Sequence, residues 1–139
     1  MAFLTDDDYG VQTQADVLNL LDKTEDKREL RKAERMAISQ IKKRLAGRYD
    51  LTNIFNKTGD DRDEYIVMIT IDIAIYHLYA KKAPRQIPEY RQLRYNDAMT
   101  WLEDVGNGTS PTDLPPIPSD DYSGQVRIFS LYKPNNNKY

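Results

Sequence analysis

Asp72 is the one carboxylate in the most apolar stretch of the chain, Tyr65 to Ala80, which reads YIVMITIDIAIYHLYA. A buried acid can do proton chemistry when its surroundings tune it. It can equally hold a core together when an arginine or a tyrosine hydroxyl satisfies it. Arg48, Arg94, Tyr49 and Tyr95 are the available partners, and the favoured one is Arg48, at the end of a basic helix. No nucleophile, metal set or second catalytic group accompanies Asp72, so a structural Asp72–Arg48 pair is expected rather than an enzyme. His77 is the single histidine and there is no cysteine. That leaves no thiolate chemistry, no disulfide and no Cys-based or multi-His zinc site. The Asp6-Asp7-Asp8 run has no EF-hand spacing, and helix capping explains it more simply. Neither a metal nor a cofactor is expected.

The basic residues are the second chemical feature. Residues 1–26 carry seven acids and one base, whereas residues 27–57 carry ten bases and three acids. Leu30, Ala33, Ala37, Ile41 and Leu45 recur at helical spacing and predict a helix over about 25–46. Its polar face holds Arg28, Arg31, Lys32, Arg35, Lys42 and Lys43. Such a face can follow phosphates, but reading a base sequence needs Arg, Asn or Gln aimed at base edges. The expectation is a surface facing a channel or another subunit, touching passing DNA non-specifically at most. An acidic block beside a basic one suits docking between subunits.

These residues need elements to hold them. The 65–80 run is too short and interrupted for a bilayer span. As a helix it is about 24 Å long, and its apolar surface belongs in a core. Asp63, Val67, Thr70, Ala74, His77 and Lys81 form one small-or-polar stripe, and Asp72 lies about 200° from Thr70. Before it, Thr5 and Asp8 have capping-box spacing, 14–22 is a short amphipathic helix, and Asp22 with Glu25 has the spacing to cap the basic helix. Residues 49–58 read as a connection with Ile54 and Phe55 under the core, and Asp61 with Glu64 as the cap of the central helix. Pro84 closes that helix and Pro88 opens a last one, with the stripe Tyr90, Leu93, Ala98, Trp101, Leu102 and Val105. The fold class is therefore all-α: a small bundle of about four helices around a central apolar helix, over residues 1–108.

Pro111, Pro115, Pro116 and Pro118 make 109–124 an extended Pro-rich linker. Residues 125–139 follow as a strand-like docking tail, with QVRIFSLYK at its centre. A lone strand in a helical chain has no partner in its own domain. Val126, Ile128, Phe129, Leu131 and Tyr132 suit strand addition to a neighbour. The N-terminus, MAFLTDDDYG, does not read as a signal peptide, so a soluble protein working in a cytoplasm is expected.

The order IKKRLAGRYDL, IDIAIYHLYAKKAP, RYNDAMTWLEDVGNG and then a proline stretch resembles small helical proteins of tailed bacteriophages. These include the Mu-like proteins of unknown function and the wider head–tail connector, or adaptor, proteins. The resemblance covers about residues 5–116. It implies a structural virion protein of the neck, assembled in the host bacterial cytoplasm. Its partners would be a homo-oligomeric ring (of about twelve copies if it matches a portal), the portal protein, and the next neck or tail protein, with no membrane. The ring would extend the DNA channel, and the C-terminal arm would insert into the portal or a neighbouring subunit. The family has no catalytic residues to carry over. The runner-up is a small helical nucleic-acid-binding or regulatory protein.

Overall fold

Ile66, Ile69, Ile71, Ile73 and Ile75 are all fully buried, so one helix presents hydrocarbon on every side and the other elements cover it. The computed structural model describes residues 3–118. The helices are α1 (Ala15–Leu21), α2 (Arg28–Leu45), α3 (Leu51–Phe55), α4 (Glu64–Lys82) and α5 (Glu89–Gly106), with 3-10 turns at Asp6–Val11 and Gly59–Asp61. The described residues form a small all-α bundle in which α4 packs against α2, α5 and α1, and α2 also touches α5. Burying one such isoleucine side chain contributes about 1.5–3 kcal/mol, and α4 buries several.

Local polar chemistry sets the helix starts. The Thr5–Asp8 box forms as expected, with the Thr5 N–H donating to Asp8 Oδ2 at 2.7 Å. The Asp22–Glu25 box does not. Asp22 instead accepts from the Leu30 N–H at 2.8 Å and the Thr24 N–H at 3.0 Å, and Thr24 Oγ1 accepts from the Arg28 N–H at 3.0 Å. Burial works against the Asp22 carboxylate, but the hydrogen bonds from Thr24 and Leu30 outweigh it and hold its pKa below 3.8. The basic helix therefore begins at Arg28, after Lys27 has turned the chain at φ 56°. For α4 the cap is Asp63 rather than Asp61, accepting from the Ile66 N–H at 3.0 Å. The 49–58 connection contains α3, capped by Asp50 on Asn53, and it buries Ile54.

The first half of α5 departs from the expected stripe. Tyr90 and Leu93 are 58% and 54% exposed, while Arg91 is buried. The reason is Asp72. Its Oδ2 takes the Arg94 guanidinium at 2.8 Å, and Arg91 Nη1 stands 3.6 Å from Oδ1. Gln12 Nε2 donates to Oδ1 at 2.8 Å and to the Met68 carbonyl at 3.2 Å, and Arg91 Nη2 donates to the Gln12 carbonyl at 2.7 Å. Arginines that must reach into a helix pair turn their neighbours outward, because residues one or two apart on a helix do not share a face.

The expected Asp72–Arg48 pair is therefore corrected. Arg48 donates from Nε to the Gly106 carbonyl at 3.0 Å and from Nη2 to the Asn107 carbonyl at 3.1 Å. A cation there meets the negative end of the α5 dipole and satisfies carbonyls left over at the helix end. The antiparallel register decides between the two arginines. Trp101 stacks near Tyr65 (centroids 4.7 Å) and Tyr95 on Tyr76 (4.0 Å), which brings Arg94 alongside Asp72 and leaves Arg48 at the far end with Gly106. Gly106 itself lies so close to α2 that an added Cβ would collide with the Arg44 carbonyl oxygen.

The proline stretch is extended, but its first part is strapped to the body. Asp50 N–H donates to the Pro115 carbonyl at 2.8 Å and Ile117 N–H to the Arg48 carbonyl at 3.2 Å, around an isolated antiparallel bridge from Tyr49 to Pro116. Leu114 is buried in the main core.

Removing one partner of a buried pair costs about 3–5 kcal/mol. Asp72→Ala should lower unfolding free energy by that order in denaturant melts. In double-mutant cycles Asp72→Ala should couple to Arg94→Met by more than about 1 kcal/mol and to Arg48→Met by close to nothing. The opposite ordering would restore the Arg48 pairing.

Candidate functional site

The small-or-polar stripe of α4 turns toward α2. His77 Nε2 lies 2.5 Å from Gln40 Oε1, and Lys81 and Lys82 reach Glu29 at 3.2 and 2.7 Å. A groove of about 540 Å³ lies between α2 and the C-terminal part of α4. Arg28, Lys32, Arg35 and Lys81 line it together with the apolar side chains of Ala33, Met36 and Leu78. It runs on past Ser39 and Gln40. Burial pulls the pKa of His77 below 6.5, so at neutral pH the charge of the groove comes from its lysines and arginines. Lys32 and Arg35 form no ion pair among the described residues, and Arg28 has only an exposed contact with Asp26 at 3.8 Å.

The six basic residues read from the sequence therefore split. Arg28, Lys32 and Arg35, spaced four and three apart, share the groove. Arg31 is turned to the N-terminal segment, where it pairs with Asp6 and, at 2.7 Å, with Glu34. Tyr9 donates its hydroxyl to the same Glu34 at 2.5 Å, and burial together with that carboxylate pushes the Tyr9 pKa up. Lys42 lies two turns beyond Arg35, with its ammonium 5.4 Å from the Phe55 ring centre. Lys43 is exposed on the same turn as Lys42.

A second groove, of about 560 Å³, opens at the other end of α4. Glu64, Val67 and Met68 line it, whereas His77, Leu78 and Lys81 line the first. Val11 and Tyr90 stand at this groove, and Val11 is 89% exposed. The Tyr90 ring lies beside two guanidinium groups, 5.2 Å from that of Arg91 and 5.9 Å from that of Arg94. Asp7, Asp8 and Glu64 supply negative charge. Asp8 is gripped by Arg62 through two bonds of 2.7 and 2.8 Å, and Arg62 also donates to the Phe3 carbonyl at 2.8 Å. The Arg62 guanidinium holds the Asp8 carboxyl down at about 2. Asp7 and Glu64 form no ion pair among the described residues.

Asp72, the buried acid of α4, is taken up by Arg94 and Gln12. Among the described residues no group of three or more His, Asp or Glu could hold a metal ion, and no helix is long and apolar enough to cross a membrane. The docking-arm residues Val126, Ile128, Phe129, Leu131 and Tyr132 lie outside the described residues.

A helical core with a buried ion cluster at Asp72 and charged outer faces is the geometry on which the family comparison bears. The family model described as Bacteriophage Mu, Gp36 matches residues 3–127. The chain belongs to this bacteriophage family. The resemblance read from residues 5–116 therefore holds, and the Gp36 match extends beyond it through the proline stretch. No curated protein and no solved structure matches the chain. In this Gp36-family chain, sequence reasoning overlooked Gln12 and Arg91. The signal for Arg91 is its three-residue spacing from Arg94, which puts two guanidiniums on one helix face. Nothing local marks Gln12, since it is sixty residues from the carboxylate it meets.

The Arg62–Asp8 grip has a pH signature. Asp8 is held below its ordinary 3.8 in the folded chain, so its contribution is complete above pH 3.8 and is lost as pH falls toward about 2. Asp8→Asn should destabilise the chain at pH 7 by about 1–2 kcal/mol, allowing for solvent screening. The difference from wild type should shrink in melts taken from pH 4 downward. A difference that is constant across that window would contradict the ion pair.

Proposed function

We propose that this phage protein is a head–tail connector: a homo-oligomeric ring beneath the portal that extends the DNA channel and presents a platform to the next neck or tail protein. It would then reside in the virion neck. Family membership supports the phage part of this reading. The observation that carries the connector part is the strap. Leu114 in the core and the backbone bonds at Asp50 and Ile117 fix where the chain leaves the body. The remaining residues, with Val126, Ile128, Phe129, Leu131 and Tyr132 among them, then start from a fixed point, as an arm that docks on the portal or a neighbour must. An ordered start reduces the entropy lost when an arm binds.

A second reading, a small helical nucleic-acid-binding protein, has one observation in its favour: Arg28, Lys32, Arg35 and Lys81 around one groove. The two readings separate by salt. Duplex affinity built on six or more phosphate contacts falls about a thousandfold or more between 50 and 200 mM salt. The connector reading expects only weak duplex binding at either concentration.

Truncation tests the arm. Chain ending at 118 should melt like the full chain yet fail to enter assembled particles. Chain ending at 108 should lose about 2–3 kcal/mol, the burial of Leu114 and its strap bonds. Normal assembly by the 118 truncation would remove the docking arm from the proposal.

A further inference from the structure

The two grooves lie toward opposite ends of α4, one at Glu64, Val67 and Met68 and the other at His77, Leu78 and Lys81, and their unpaired charges are of opposite sign. At the His77 end, Lys32 and Arg35 flank apolar Met36, which is 45% exposed. At the Glu64 end, Asp7 and Glu64 flank Val11 and Tyr90, two of the most exposed large apolar side chains among the described residues. Lys32, Arg35, Asp7 and Glu64 have no ion partner among the described residues. A single copy of the chain cannot bring its own two grooves together, because they are fixed about 20 Å apart along one helix. A second copy can.

We infer that the Val11–Tyr90 ridge of one copy docks in the α2–α4 groove of the next copy, with Asp7 and Glu64 against Lys32 and Arg35. The apolar centre of this contact removes Val11, Tyr90 and Met36 from water, and the charges at the rim set its register and exclude the reversed pairing. Two different faces make the contact heterologous. Repeating it closes a ring where the rotation per step divides a full turn, and gives an open filament where it does not. The contact deepens the ring reading proposed above and rests on it for closure.

The inversion of α5 is what supplies the ridge. Had Tyr90 faced inward with the apolar stripe, the acidic side would offer charge alone. Arg91 and Arg94, drawn in by Asp72, leave Tyr90 on the surface and lie close enough to its ring to restrain it. A ring held in place loses less entropy on docking than a free one.

The absence of cysteine from the sequence makes cross-linking clean. Val11→Cys and Met36→Cys are both at exposed positions, and each variant should melt like wild type. Mixed under oxidation at high protein concentration, the two full-length variants should give a covalent dimer, whereas each alone should stay largely uncross-linked. The yield should fall at least about threefold between low and high salt, as screened rim charges release the contact. Equal cross-linking of Val11→Cys with itself, or no mixed dimer, overturns the contact. So does a groove that binds duplex DNA and gives no mixed dimer. Mixed dimers from a protein that never enters particles would overturn the connector reading and leave the contact standing. Particles that contain the protein but never yield the cross-link would overturn the contact alone.

Discussion

A carboxylate at position 72 has to find cations inside a helix that is otherwise hydrocarbon, and Arg94 and Arg91 of α5 supply them. The consequences spread outward from that pair. Both arginines must lie on the inner face of α5, so Tyr90 and Leu93 take the outer one. Gln12 completes the carboxylate and gives its own carbonyl to Arg91, which ties the N-terminal segment to the α4–α5 junction. Hydrocarbon alone would have packed α5 more simply. A buried ion cluster is weak evidence of added stability but constrains which helix faces can meet.

Arginines also hold the two ends of the described chain. Arg62 gathers Asp8 and the Phe3 carbonyl, fastening the first turn to the start of α4. Arg48 closes the end of α5, and its own carbonyl takes the Ile117 N–H from the proline strap. A planar guanidinium with five donors can serve several acceptors at once, which a lysine cannot do with the same geometry. Three arginine sites thus organise the centre, the entry and the exit of a bundle whose helices are held mainly by isoleucine and leucine.

With the Asp72 carboxylate paired internally, the charges left without an ion partner among the described residues lie outside, at a basic groove and an acidic ridge. A scaffold that works by contact, as proposed, would use these outer faces. Membership of a bacteriophage family agrees with it. The unpaired charges at the surface cost little to the isolated chain, because water solvates them, and become useful when a partner replaces that water.

The helices were legible from residue order. Period and caps are local, and they marked α2, α4, α5, the Thr5–Asp8 turn and the all-α class to within a few residues. The burial of Asp72 was legible too, since its neighbours at helical spacing are apolar. What the sequence could not decide was which cation answers it. Both Arg48 and Arg94 are available on paper, and the sequence reading favours Arg48, whereas the antiparallel register of α4 and α5 places Arg94 beside position 72 and Arg48 at the helix end. The same register sets the exposure of Tyr90, while the split among the basic residues of α2 follows from the packing of α2 against α4, the N-terminal segment and α3. Local periodicity determines which elements form. Only their packing decides which side chains of different elements meet, because those meetings join residues as far apart as Gln12 and Asp72.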